Sequence, residues 1–320
     1  MSLKRLIDCK WLVDQVTKGA VNKQGLRVLD CTFKPAPKPD PAVFKSAYYG
    51  QWDKLMNKPS DHKAEFSKAH IPGAVHANLD DAMYPSKTER FALYPPEQFE
   101  EYAQRLGLNQ GDHIVVYDRG MNGGMMWAAK FWWLFKTYGH DNVSILNGGF
   151  HAWKKGNYPI SSEVVQLPKG DWKANLRSEL NVTFEELTKK QDDGRDLIDK
   201  ADEVNFLDAR KKEQFHGEED TGLDPYMVNG SYIPGFINVP VNQLVDSNGL
   251  LKSPEDIKAY ASSKGFREGK PIITSCNTGI QASLLAFALT LVDAQYPIRL
   301  YNGSLKEMEV RAPQRISAGA

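Results

Sequence analysis

Residues 270–283 place a cysteine between a buried strand and a helix. The apolar, β-branched run that begins at Ile272 is typical of a strand, and the apolar residues 282–291 predict a helix. The connecting loop has Cys276 at its start and Gly279 in its middle. Unpaired backbone amides and the dipole at a helix start stabilise a thiolate, the reactive form of cysteine. Cys276 is therefore a candidate nucleophile, and the alternative is a structural cysteine buried at the end of a strand.

The overall composition excludes several classes of protein. With 320 residues, 41% hydrophobic and 25% charged, the chain is long enough for two domains. Lysine plus arginine equals aspartate plus glutamate at 40 each, so charge gives no reason to expect a nucleic acid or a membrane surface as partner. The three cysteines form no Cys-x-x-Cys pair, which excludes a dense disulfide framework and a cysteine-rich zinc site. We expect a reducing compartment and no metal ion or other cofactor.

The sequence shows no segment suited to crossing a bilayer. Its longest apolar runs, near residues 125–135 and 284–292, are interrupted or too short for that purpose. The first eleven residues lack the apolar core of a secretory signal and the long, Arg- and Ser-rich stretch of a transit peptide. We therefore expect a cytoplasmic protein without a membrane partner.

The chain contains an internal repeat. Four short segments of the first half recur in the second half, in the same order and with similar spacing. They are an apolar strand ending in aspartate (27–31 and 205–209), an Ile-Pro-Gly turn (70–74 and 232–236), a strand before a loop (111–118 and 269–276) and an Asn-Gly pair (146–149 and 301–304). Agreement at four ordered places indicates two copies of one structural unit.

Within each copy, short strands alternate with helical patterns, which favours an α/β fold with a parallel sheet flanked by helices. In the first copy we predict strands at 28–29, 114–117 and 143–146, and helices at 95–106 and 126–135. In the second copy, Ser253 is the predicted N-cap of the helix that corresponds to 95–106. The predicted organisation is a domain at 1–162, a linker at 163–180 and a second domain at 181–320.

The two copies differ at the position where chemistry would occur. Asp118 stands in the place of Cys276, and the glycine-rich loop 118–124 offers no nucleophile. This loop also lacks the Gly-Lys-Ser/Thr spacing of a phosphate-binding loop. We interpret it as a plain turn between a strand and a helix.

These features together resemble the two-domain rhodanese family of sulfurtransferases, which includes thiosulfate and 3-mercaptopyruvate sulfurtransferases. The resemblance depends on the repeated Ile-Pro-Gly, on Asp208-Ala-Arg210, on the Cys-x-x-Gly-x-x-Ala loop and on Asn302-Gly-Ser304. It implies two tandem rhodanese-like domains, each a parallel sheet flanked by helices, of which the first is catalytically silent. It also leaves a mitochondrial location open.

The resemblance implies covalent sulfur transfer through the cysteine. The Cys276 thiolate would attack the sulfur of a small donor and form a persulfide, and a nucleophilic acceptor would then remove the outer sulfur. The loop from Cys276 to Gln281 would surround the anion with amides, so Asn277, Gly279, Ile280 and Gln281 are predicted to contact the substrate. Thioredoxin, small thiols and cyanide are the acceptors that the family suggests. Since Ala282 replaces the arginine of a Cys-x5-Arg phosphatase loop, phosphatase chemistry is disfavoured.

The loop sequence indicates which donor is used. Thiosulfate enzymes of the family typically have Cys-Arg-Lys-Gly, and mercaptopyruvate enzymes typically have Cys-Gly-Ser-Gly. This chain has Cys276-Asn-Thr-Gly279, which lacks both cations and keeps a hydroxyl. We therefore favour 3-mercaptopyruvate. Thiosulfate, and a persulfide carrier or binding module with little turnover, are the alternatives.

Further site residues follow from the resemblance alone. A proposed hydroxyl–His–Asp relay would consist of Thr278, His70 and Asp61, and Arg210 matches an arginine that binds the anionic group of the donor. His216 stands about where the family has a second arginine. An imidazole cannot form the bidentate fork of a guanidinium, so donor binding is expected to differ at this position.

Overall fold

A computed structural model describes residues 4–23, 25–219, 231–293 and 295–317. The strands in this part of the chain are β1 (Leu6–Ile7), β2 (Leu26–Asp30), β3 (Val75–His76), β4 (His113–Tyr117), β5 (Val143–Leu146), β6 (Asn181–Val182), β7 (Asn205–Asp208), β8 (Ile237–Asn238), β9 (Ile272–Ser275) and β10 (Ile298–Tyr301). The helices are α1 (Cys9–Thr17), α2 (Pro41–Ala47), α3 (Trp52–Met56), α4 (Asp61–Lys68), α5 (Leu79–Ala82), α6 (Pro96–Arg105), α7 (Met121–Gly124), α8 (Met126–Thr137), α9 (Gly149–Lys155), α10 (Phe184–Leu187), α11 (Lys212–His216), α12 (Pro254–Ser263), α13 (Ile280–Val292) and α14 (Ser304–Arg311).

The strands form two parallel five-stranded sheets with the same order. The first sheet runs β1-β5-β4-β2-β3 and the second β6-β10-β9-β7-β8. In the two central pairs, Leu29 lies opposite Val116 and Leu207 lies opposite Thr274. The predicted fold class, two α/β units with a parallel sheet flanked by helices, is confirmed.

The central strands are apolar because helices cover both faces of each sheet. All of β9 is buried, and so is β4 from Ile114 onwards. A strand covered on both sides has no solvent face, so its sequence shows a continuous apolar run rather than an alternation. The strand predictions for β4, β5 and β9 therefore hold to within two residues.

Helix ends follow local capping chemistry. Ser253 accepts a hydrogen bond from the Asp256 amide at the start of α12, as predicted. Helix α6 begins at Pro96, one residue later than predicted. Helices α1 and α4 are not among the predicted elements, although Asp8 and Ser60 are ordinary N-caps whose side chains accept from backbone amides of the first turn. These two helices are short, at nine and eight residues.

The predicted linker, residues 163–180, is attached firmly to the first domain. Its only regular element is a 3-10 turn at Ser178–Leu180. Trp172 is fully buried, and its indole N–H donates to Nδ1 of His140 at 3.1 Å. Gly170 lies so close to Leu108 that a Cβ would be 1.8 Å from the carbonyl oxygen of Leu108. The exact domain boundaries remain a prediction.

The two domains share one hydrophobic core. Helix α8 of the first domain packs against α13 of the second, and residues of both belong to one buried cluster. Trp132 and Phe287 meet edge to face across this contact, with ring centroids 5.1 Å apart. Both helices are buried on nearly all sides because each lies between its own sheet and the other domain. No helix in the described residues is long and apolar enough to cross a membrane.

We expect Phe287→Ala to lower the free energy of unfolding by about 3–5 kcal/mol, because it opens a cavity between the domains and removes an aromatic pair. Urea denaturation followed by circular dichroism measures this change. Val43→Ala is the control, since Val43 is 60% exposed on α2. A loss no larger than that of the control would show that the helix contact does not stabilise the protein.

Candidate active site

Cys276 lies at the carboxyl end of β9 and is almost fully buried, with 1% of its surface exposed. Its backbone N–H donates to Oγ of Ser304 at 3.2 Å, and its carbonyl accepts from the Leu305 amide at 3.1 Å. The same edge of a parallel sheet is where α/β proteins commonly bind their ligands. The end of β10 and the start of α14 thus hold the backbone of Cys276 from one side.

Gly279 turns the chain from the cysteine into α13. Its backbone is left-handed, with φ 78° and ψ 7°, and it is the N-cap of the helix. A Cβ at this position would lie 2.6 Å from the carbonyl oxygen of Asn302, so a side chain has no space. No side chain of the described residues caps this end of α13. The amides of the first turn are therefore available to an anion near Cys276.

The corresponding loop of the first domain surrounds an acidic side chain, that of Asp118. One carboxylate oxygen of Asp118 accepts from the Gly120 amide at 2.6 Å. The other accepts from the amides of Trp127 and Ala128, at 2.8 Å and 2.9 Å. Burial raises the pKa of this carboxyl to about 7, although the three amides act in the opposite direction. The loop that we interpreted as a plain turn is thus a set of amides that binds the carboxylate of Asp118.

A cavity of about 350 Å³ lies at Cys276, and both domains line it. The second domain contributes the loop residues Asn277, Thr278, Ile280 and Gln281 together with Ala209, Lys211, Gln214, Glu219, Val241 and Asn242. The first domain contributes Pro35, Met121, Asn122, Met126 and Trp127. Clefts between domains are common ligand sites, and the volume suits a small molecule. Three of the four loop residues predicted to contact substrate therefore line this cavity, and the fourth, Gly279, lies behind them as the helix cap.

Arg210 lies behind the cavity and is fully engaged by the protein. It is completely buried, and its Nε and Nη2 donate to the carboxylate of Asp208 at 2.8–3.0 Å. Nη2 also donates to the carbonyl of Ser231, and Nη1 lies 3.5 Å from Oδ1 of Asn277. A buried guanidinium requires such partners. Arg210 thus reaches the cysteine loop only through Asn277, and its role as a donor ligand remains a prediction.

The structure does not join the three members of the predicted relay. Thr278 is half-buried and lines the cavity at Cys276. The ring nitrogens of His70 face the backbone carbonyls of Phe66, at 2.7 Å, and Glu163, at 3.0 Å. Asp61 is exposed at the start of α4, where it lines a different cavity. His70 instead ties the Ile-Pro-Gly turn to the start of the linker, so the relay has only the resemblance as support.

His216 ends α11, and its ring contacts aromatic neighbours. Its centroid lies 5.2 Å from that of Phe215 and 6.4 Å from that of Tyr232. It is not among the residues that line the cavity at Cys276. Residues 220–230, which follow it closely, lie outside the described part of the chain. The effect of a histidine at this position therefore remains a prediction.

A second, smaller cavity of about 90 Å³ adjoins the first, and Pro35, Trp127 and Thr278 line both. Its other lining residues include the cations Lys38, Lys87, Arg90 and Lys306. These residues, and the first-domain side of the main cavity, are not among the site residues predicted from the sequence. Nothing in the sequence shows which face of the first domain meets the second. Among the described residues, no group of three or more His, Cys, Asp or Glu side chains could hold a metal ion.

In comparison with known proteins, both units match the same family model. The model of the Rhodanese-like domain matches residues 60–156 and 184–310. A Caenorhabditis elegans protein, whose name assigns it provisionally to the thiosulfate sulfurtransferases, is 47% identical over 100% of this chain and 98% of its own length. Human 3-mercaptopyruvate sulfurtransferase is 31% identical over 79% of this chain and 81% of its own. The crystal structure of the Escherichia coli 3-mercaptopyruvate enzyme SseA aligns with a TM-score of 0.72 at 27% identity, covering 94% of this chain and 98% of that one.

We expect Gly279→Ala to lower both stability and the reactivity of Cys276, because the methyl group would meet the Asn302 carbonyl in an already strained conformation. Gly269→Ala is a matched control: its φ of 80° is nearly the same, and nothing lies within 4 Å of an added Cβ. The control should lose about 1–2 kcal/mol from backbone strain alone. Gly279→Ala should lose clearly more and should slow alkylation of Cys276 by iodoacetamide about tenfold. Equal effects of the two substitutions would show that the close packing on Asn302 is unimportant.

Proposed function

The chain belongs to the rhodanese family and is a sulfurtransferase, and we propose that it moves sulfur through a persulfide on Cys276. The observation that carries this assignment is the contrast between the two loops. In the first domain the amides at the helix start bind the carboxylate of Asp118. In the second domain the corresponding position is a cysteine facing a cavity. The second loop is therefore suited to holding an anion on sulfur.

The reaction is written as two displacements at sulfur. The Cys276 thiolate attacks the thiol sulfur of 3-mercaptopyruvate, the S–S bond forms and the C–S bond breaks. The electron pair of that bond leaves with the carbon as the enolate of pyruvate, which then takes up a proton. In the second step a thiolate acceptor attacks the outer sulfur, and the Cys276 thiolate is released again. No external oxidant or reductant is required.

The loop residues have distinct parts in these steps. The amides from Asn277 to Gln281 stabilise the thiolate and, after the first step, the persulfide anion, because the helix start supplies partial positive charge. The hydroxyl of Thr278 donates to the donor without adding a charge. The apolar side chains of Met126 and Trp127 exclude water on the opposite side of the cavity. The acceptor is a thiol, either a small molecule or thioredoxin.

Mercaptopyruvate is the favoured donor because the loop itself contains no cation. A carboxylate monoanion needs one strong partner, whereas the dianion thiosulfate needs more compensation. Thiosulfate is the second candidate, and the cations of the smaller cavity favour it. Two of these cations are already in ion pairs, Arg90 with Asp80 at 2.7 Å and Lys306 with Glu309 at 2.5 Å. This pairing makes them weaker partners than a cation within the loop would be.

Cys276→Ser should abolish sulfur transfer and leave the fold intact. Intact-mass measurement after treatment with donor should show one added sulfur atom on the wild type and none on the variant. Cys9→Ser is the control, because Cys9 is half-buried at the start of α1 and does not line the cavity. Transfer that survives in Cys276→Ser, or sulfur located on Cys9 or Cys31, would refute the assignment.

Thr278→Lys should change the donor preference of the enzyme. The wild type should have a higher kcat/KM for mercaptopyruvate than for thiosulfate, and a lysine in the loop should raise the value for thiosulfate about tenfold relative to mercaptopyruvate. Thr278→Val is the matched control, since it removes the hydroxyl and adds no charge. A wild type that already prefers thiosulfate, with no response to Thr278→Lys, would show that the loop does not select the donor.

A further inference from the structure

Lys130 is a buried cation in the first domain that the proposed reaction does not use. It lies in α8 among Met, Ala, Phe, Trp and Leu side chains, and none of its surface is exposed. Removing an ammonium group from water is costly unless other groups compensate its charge. A lysine at this position therefore requires an explanation, which its contacts provide.

The ammonium group of Lys130 crosses the domain interface. Its Nζ donates to Oδ1 of Asn302 at 2.5 Å and to the carbonyl of Gly279 at 3.3 Å. It also lies over the Trp133 ring, 4.1 Å from the centroid. Both oxygen acceptors belong to the second domain and border the loop of Cys276. The contacts of Lys130 thus converge on the end of that loop.

Both polar atoms of the Asn302 side-chain amide form hydrogen bonds with the first domain. Its Oδ1 accepts from Lys130, while its Nδ2 donates to Oε1 of Glu89 at 2.8 Å and to the carbonyl of Phe91 at 2.6 Å. The backbone of Asn302 in turn packs against Gly279. Lys130 therefore supports the loop directly through Gly279 and indirectly through Asn302.

The charge of Lys130 is linked to that of its neighbours. Burial lowers its pKa to about 7, and the negative charges of Cys276 and Glu89 act in the opposite direction. Burial also raises the pKa of Glu89 to about 7; Glu307 adds to this effect, and Lys130 and Lys38 oppose it. Near neutral pH the protonation of Lys130 thus responds to the charge on the cysteine.

We propose that Lys130 is a positioning residue that the first domain supplies to Cys276, fixing the loop through Gly279 and Asn302 and providing the positive charge that favours the thiolate and the persulfide anion. This inference rests on the proposed function in taking Cys276 as the reacting group. It assigns a role to the domain that lacks the cysteine. The loop contains no lysine or arginine, and this cation comes from across the interface.

The first test compares three variants by the pH dependence of alkylation of Cys276. Lys130→Met removes the charge and keeps the length of the side chain, and it should raise the midpoint of the profile by about one pH unit, with rates about tenfold lower below the midpoint. Lys130→Arg keeps the charge and should restore most of the reactivity. Lys136→Met is the control, because Lys136 lies on the same helix in an ion pair with Asp141 at the surface. Its profile should match that of the wild type.

The second test measures the same coupling from the lysine side and does not require the Lys130→Met variant to fold. Coupling between two protonation sites is reciprocal. In Cys276→Ser, the titration midpoint of Lys130, followed by ¹³C NMR of its Cε, should therefore fall below that of the wild type. The Lys130→Arg spectrum assigns the resonance.

An unchanged alkylation profile in folded Lys130→Met, an equal shift in Lys136→Met, or an unchanged Lys130 midpoint in Cys276→Ser would each overturn the proposal. Neither test requires a sulfur donor. If Lys130 and Cys276 show no coupling while the wild type still transfers sulfur, only the role of Lys130 is refuted. Intact coupling without sulfur transfer would refute only the proposed function.

Discussion

The structure depends on one arrangement, a polar side chain placed at a turn of backbone amides where a parallel strand gives way to a helix. Both domains form this arrangement, at the ends of β4 and β9. In the first domain, the carboxyl of Asp118 fills this place, where it is buried and accepts hydrogen bonds from the amides of the loop and of the helix start. In the second, Cys276 occupies the same place and is the residue that we propose to react. In our proposal, the structural site and the reactive site therefore have the same fold and differ only in the side chain at this position.

The sequence predicted the features that local chemistry determines. The repeat, the sheet class and the loop between β9 and α13 follow from apolar runs, turn residues and glycine positions in a single stretch of chain. The N-cap at Ser253 is likewise determined by residues close in sequence. The cavity is different, because five of its sixteen lining residues come from the first domain, more than a hundred residues away in sequence from Cys276. In the sequence, Lys130 is recognisable only as a charged residue within an apolar run. The sequence does not show which residues of the second domain pack against it.

The predicted site residues lie at unequal distances from the cavity at Cys276, and the reason is physical. Positions within the cysteine loop are fixed by backbone geometry, and Thr278 and Gln281 line the cavity. His70 and Arg210 depend on the direction of long side chains and on competing partners. Carbonyl groups engage the ring of His70, and Asp208 engages the guanidinium of Arg210. A motif identifies the residue type. It does not determine which of several nearby acceptors the side chain bonds.

Trp127 belongs to both loops at once. Its backbone amide binds Asp118, and its indole lines the cavity of Cys276. Duplication of a domain ordinarily releases one copy from selection, so that it can accumulate changes freely. Here the first domain, which lacks the proposed nucleophile, remains constrained. A change that moves the start of α8 alters the surroundings of the substrate in the other copy. A substitution at the start of α8 is therefore constrained by both loops, although it lies in only one of the two domains.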